Sequence, residues 1–117
     1  MTYFNIYIIN QLELDELADL LRRILNCNTK NQTTGQVDQK RYGANFGGHY
    51  YLFEIMGLEL RLLKNEGEVF ESHFAEYDYY INCIELEEVD ANLFKECIGY
   101  LGQLLRTKGI ENKVIEM

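Results

Sequence analysis

The chain has 117 residues, 47% of them hydrophobic and 26% charged, the composition of a single globular domain and not of a largely disordered chain. Nineteen Asp and Glu against eleven Lys and Arg leave a net charge of −8, which argues against a nucleic-acid footprint and against docking on an anionic membrane. Three cysteines (Cys27, Cys83, Cys97), odd in number and without Cys-x-x-Cys spacing, read as reduced, buried thiols of a cytoplasmic protein and exclude a dense disulfide framework.

At the start, Phe4, Ile6 and Ile8 alternate with Tyr3, Asn5 and Tyr7, the period of a strand. Large side chains on both faces place that strand inside a sheet. No basic residue precedes it and acids follow it, so it is not read as a signal peptide. Leu14, Leu17, Leu21, Ile24 and Leu25 then form one helical stripe. Asn10 with Glu13 suggests a variant capping box, Arg22 and Arg23 fall near the expected end, and Asn26 and Asn28 are the expected stops. From 28 to 48 the periodicity dissolves into a long polar loop, whose second half at 40–46 has the makings of a short strand or hairpin arm.

His49 to Ile55 and Leu58 to Leu62 read as two strands joined at Met56-Gly57, a two-residue hairpin turn. Asn65-Glu66-Gly67-Glu68 reads as a turn leading into a short segment at Val69-Phe70. Tyr77 to Leu86 is a further strand, with its inward face left open by the pattern. A second helix covers about 90–108, with Asp90 as N-cap, Gly109 as stop, and Leu93, Phe94, Cys97, Ile98, Leu101, Leu104 and Leu105 apolar. Gly99 and Gly102 inside it suggest close approach to the sheet. Lys113-Val114-Ile115 ends the chain as a strand. The order β-α-β-β-β-α-β predicts one α+β domain over 1–117, a mostly antiparallel sheet with both helices on one face.

Chemistry is harder to find. His49 and His73 lie on different elements without ligand spacing, so no metal and no cofactor are expected. Cys97 sits on the apolar stripe of the second helix, which suits packing better than a nucleophile paired with His49. Gly43, Gly47 and Gly48 match neither a P-loop nor a dinucleotide fingerprint. Glu54 and Glu59 face each other across the expected hairpin, where a salt bridge from Arg61 or plain solvation explains them better than acid–base work. No catalytic residue is predicted, and the protein is not expected to be an enzyme.

The surface carries more. From Glu66 to Asp90 nine acids and no Lys or Arg occur, with Tyr77-Asp78-Tyr79-Tyr80 inside the run. Tyrosines ringed by carboxylates suit an interface for a basic partner, with steered association. The other reading is a solvated rim with two of the three tyrosines in the core. The candidate contacts are Glu66, Glu68, Glu71, Glu76, Tyr77, Asp78, Tyr79, Tyr80 and Glu85. A second patch comprises Arg41, Tyr42, Asn45 and Phe46 in the long loop, which also carries Lys30 and Lys40.

The stretch Gly47-Gly48-His49-Tyr50-Tyr51-Leu52-Phe53-Glu54, then Leu58-Glu59-Leu60-Arg61-Leu62 and Tyr77-Asp78-Tyr79-Tyr80, resembles the strand-rich middle of immunity proteins from bacterial polymorphic-toxin and contact-dependent growth inhibition systems. The resemblance lies in the layout of the whole chain and carries no residue-by-residue motif. It implies a cytoplasmic toxin inhibitor acting by protein–protein interaction, an antitoxin in function. Its cognate toxin domain would be basic and typically a nuclease, with the substrate surface occluded. The alternative is a small regulatory or scaffolding domain that self-associates through a sheet edge or the tyrosine face.

Overall fold

The computed structural model describes residues 3–29, 39–43, 48–55, 57–85 and 90–117. Its elements are β1 (Phe4–Ile9), α1 (Leu14–Thr29), β2 (Gln39–Gly43), β3 (Gly48–Ile55), β4 (Leu58–Lys64), β5 (Tyr79–Glu85), α2 (Ala91–Thr107) and β6 (Glu111–Glu116), with two 3-10 turns at Gly67–Val69 and Ser72–Phe74. The six strands form one sheet in the order β2-β3-β4-β5-β1-β6, and every pairing is antiparallel. The expected order holds, with β2 as the hairpin arm anticipated near residues 40–46. β1 is internal, as the large side chains on both its faces suggested, and Phe4 through Ile8 are all buried.

Both helices lie on one face. Leu17, Leu21 and Ile24 of α1 and Phe94, Ile98 and Leu105 of α2 share a core with Phe4, Ile6 and Ile8, Leu60 and Leu62, and Tyr79, Ile81 and Cys83. The Phe94 ring meets Phe4 edge-on, with centroids 5.0 Å apart. Because partners in an antiparallel register share a face, the opposite side of the sheet carries Tyr50, Leu63, Tyr80 and Tyr7 in adjacent strands. A second, smaller core forms there.

The helix ends are set by local chemistry. Asp90 caps α2, accepting from the Asn92 and Leu93 amides at 2.9 and 3.2 Å. At its other end Gly109 takes φ +85, and the Gly109 and Ile110 amides donate to the Arg106 and Leu105 carbonyls. α1 starts one turn later than Asn10 suggested. Glu16 accepts from the Glu13 amide at 3.1 Å, the reciprocal half of a capping box, while Asn10 accepts from the Leu12 amide in a turn. The helix also continues through Asn26 and Asn28 to Thr29, so Arg22 and Arg23 lie in its body and pair with Asp19 instead of the helix end.

The two α2 glycines differ. A Cβ on Gly102 would sit 2.7 Å from Val114 Cγ2 and 3.1 Å from Asn112 Oδ1, whereas one on Gly99 would meet nothing. Close approach to the sheet therefore explains Gly102 alone. Gly99→Ala is expected to stabilise the fold by about 1 kcal/mol, and Gly102→Ala to destabilise it by about 1–2 kcal/mol. Urea unfolding of the pair checks this, and equal shifts would contradict it.

Candidate partner-binding surface

β4 and β5 are adjacent and antiparallel, so a tight turn would suffice to join them. Residues 65–78 instead fold back over the sheet face that the helices leave open. The ends of this excursion meet where the Asn65 amide donates to the Asp78 carbonyl at 2.9 Å, giving a compact loop with closed ends. Its inner clamp is the Asn65 side chain, only 8% exposed. Its amide nitrogen donates to the Phe74 and Tyr77 carbonyls at 3.0 and 2.9 Å, and its oxygen accepts from the Glu71 amide at 2.8 Å. Phe74 stacks on the buried Tyr7 ring at 4.1 Å, and Tyr77 and Tyr80 border that ring at 5.7 and 5.5 Å. The result is a platform fixed to the sheet by polar and aromatic contacts together.

This arrangement redistributes the tyrosines. Tyr79 points into the helix-side core and donates to the Leu12 carbonyl at 2.6 Å. Tyr80 points the other way, beneath the platform, and donates to the Val69 carbonyl at 2.8 Å. Both are buried, so neither offers its ring to a partner in this structure. Tyr77 is half-buried against the same small core. Two of the three are indeed core.

The acids divide as well. Glu66 and Glu76 are exposed on the platform, and Glu71 is half-exposed. Asp78 is exposed but accepts from the Asn10 amide at 3.0 Å, which ties the platform to the turn before α1. Glu68 has its backbone in the first 3-10 turn. Glu85 does not belong here: opposite buried Leu58, it lies on the helix side at the far end of β5. Arg41 and Tyr42 are on edge strand β2, opposite Tyr50 and His49, separated from β5 by β3 and β4. Asn45 and Phe46 lie outside the described residues.

Sequence reasoning missed Phe70, which is 46% exposed between Glu66 and Glu71. An apolar ring at a loop position has no periodic signal to distinguish it from a core residue. Here it stands out as an exposed apolar ring on a loop that also carries Glu66, Glu71 and Glu76.

Other candidate sites are accounted for locally. Glu54 and Glu59 do sit opposite each other, but Glu59 pairs with Arg61 at 2.6 Å and Glu54 is exposed. An open cleft of about 320 Å³ between α1 and β3 contains Asp15, Asp19, Arg22 and Tyr51. Its polar groups already satisfy one another, with Tyr51 donating to Asp15 at 2.9 Å and Arg22 paired with Asp19. Among the described residues, no group of three or more His, Cys, Asp or Glu is placed to hold a metal ion. Within those residues, no helix is long and apolar enough to cross a membrane.

Burial pushes the phenols of Tyr7, Tyr79 and Tyr80 above their ordinary 10.0, with Glu71 adding to the rise at Tyr7 and Tyr80 and Glu13 at Tyr79. A raised folded pKa keeps the proton on in the native state while the unfolded chain loses it, so stability is intact below pH 10 and falls above it. Urea midpoints are therefore expected to hold between about pH 8 and 9 and drop by about pH 11. A flat profile across that range would contradict the burial of the three hydroxyls.

Comparison with protein-family models, curated proteins and solved structures returns no match for this chain.

Proposed function

We propose that this chain is an immunity-type binding protein that neutralises a cognate, basic toxin domain, with a nuclease as the best chemical fit. The 65–78 platform covers the toxin's active or substrate-binding surface. One observation supports the reading above the others: Phe70 is held out to solvent on the same loop as Glu66, Glu71 and Glu76, a loop locked by Asn65 and Phe74. A preorganised loop loses little conformational entropy on binding, so its contacts translate efficiently into affinity. Carboxylates around an apolar anchor steer a cationic groove toward it and then exclude water from the contact. A nuclease cleft built for phosphates and bases presents the complementary cations and apolar shelves. The protein acts in this reading by occupying a surface, with no catalysis, metal or cofactor of its own.

The test is co-purification with the product of the gene immediately upstream. A complex is expected to form at low salt and weaken as salt rises. Phe70→Ser in the same experiment is expected to weaken it by at least about tenfold, as for other central anchors. Failure to form a complex at low salt, or a complex indifferent to Phe70, would overturn the proposal.

A further inference from the structure

The helix α2 carries two apolar seams where one core needs one. Phe94, Ile98, Leu101 and Leu105 are buried against the sheet. One residue earlier in each case, Leu93, Cys97, Tyr100 and Leu104 repeat the same spacing. Yet Leu93 is 50% and Tyr100 58% exposed, the two most exposed of the large hydrophobic side chains described, and Cys97 and Leu104 are only partly buried. Gly102 faces Val114 of β6, which puts this second seam on the flank of α2 turned away from that strand. Spacings of four, three and four are those of a coiled-coil contact line.

We propose that this seam is a dimerisation surface, on which α2 of a second copy of the chain packs antiparallel. The seam is its own complement. A two-fold axis beside residues 98 and 99 sets Leu93 against Leu104 of the second copy and Cys97 against Tyr100. The same register brings Asp90, the acidic N-cap of one helix, opposite Thr107 of the other and one position from its basic C-cap Lys108. Opposed helix dipoles favour the same orientation. The excess negative charge runs through residues 66–90, whereas α2 itself carries Lys95 and Arg106 against Glu96, so two copies meet here on a face without that acidic excess. α2 has 17 residues, about 26 Å of helix, so the contact is at the small end of specific interfaces and its affinity in the micromolar range.

Sedimentation velocity of the full chain over a wide concentration range tests this. Wild type is expected to shift from monomer to dimer mass with rising concentration. Leu93→Glu combined with Tyr100→Glu, both at exposed positions, is expected to weaken the dimer by at least about a hundredfold while leaving the circular dichroism spectrum unchanged. Lys108→Glu is expected to weaken it a few-fold. In a Cys27→Ser background a short bis-maleimide is expected to link two chains through Cys97, since Cys83 is buried. A monomer at every concentration, or a dimer unchanged by the double substitution, would overturn the proposal. Neither result bears on the platform, which lies on the other face of the sheet.

Discussion

Asn65→Ala is expected to lower the unfolding free energy by about 3 kcal/mol, the net worth of three hydrogen bonds at about 1 kcal/mol each. The substitution removes both donors to the Phe74 and Tyr77 carbonyls and the acceptor for the Glu71 amide. Solvent entering the released loop can satisfy some of those groups, but only by lifting Phe74 from Tyr7. The loss should therefore appear locally first, as faster amide exchange confined to residues 65–78, before it appears in the global midpoint. Asn65→Asp serves as a second variant. It keeps the acceptor for Glu71 and loses both donors, so it should also destabilise and should not rescue the exchange. A cost below about 1 kcal/mol would show that aromatic stacking alone holds the platform.

Phe94→Ala is the other large effect, about 3–5 kcal/mol. Phe94 is 2% exposed in the first turn of α2, and its edge-on contact with Phe4 joins that helix to the internal strand β1. Truncation leaves a cavity between two elements that cannot collapse independently, because β1 is hydrogen-bonded on both sides. Phe94→Leu retains much of the volume and should cost less than half as much. Equilibrium urea unfolding of both variants is the measurement, and equal costs would mean that burial at this position is not what holds α2.

Features encoded by neighbouring residues were legible from sequence. Asp90 and Gly109 bracket α2 because a cap oxygen and a positive φ act within one turn, and Gly57, at φ +76, closes the β3–β4 hairpin for the same reason. Alternation with large side chains on both faces placed β1 in the sheet interior. The start of α1 shows the limit of local reading: Asn10 with Glu13 and Glu13 with Glu16 share one spacing, and only the second becomes the cap. β2 was anticipated near 40–46 only as a strand or hairpin arm, and its register comes from the hairpin it makes with β3, from Gly43 opposite Gly48 to Gln39 opposite Leu52.

The candidate surface was legible as charge and obscure as shape. The acidic run from 66 onward is plain in the sequence, but the two faces of Tyr79 and Tyr80 depend on what covers each side of β5. One cover is the platform itself, built from 3-10 turns and a side-chain clamp that have no apolar period. Asn65 was readable as a turn residue, while its role under the loop depends on carbonyls up to twelve positions away. Phe70 could be identified as exposed only after Phe74 was seen to take the buried place.

The most direct test of the account is the association rate of the chain with the upstream gene product, measured by stopped flow across ionic strength. Wild type is compared with Glu71→Lys combined with Glu76→Lys, which spares Asp78 and its structural bond to Asn10. The wild-type rate is expected to fall steeply with salt, and the variant to associate at least about tenfold more slowly at low salt with a flattened salt dependence. Equal rates and equal salt slopes for the two proteins would contradict it.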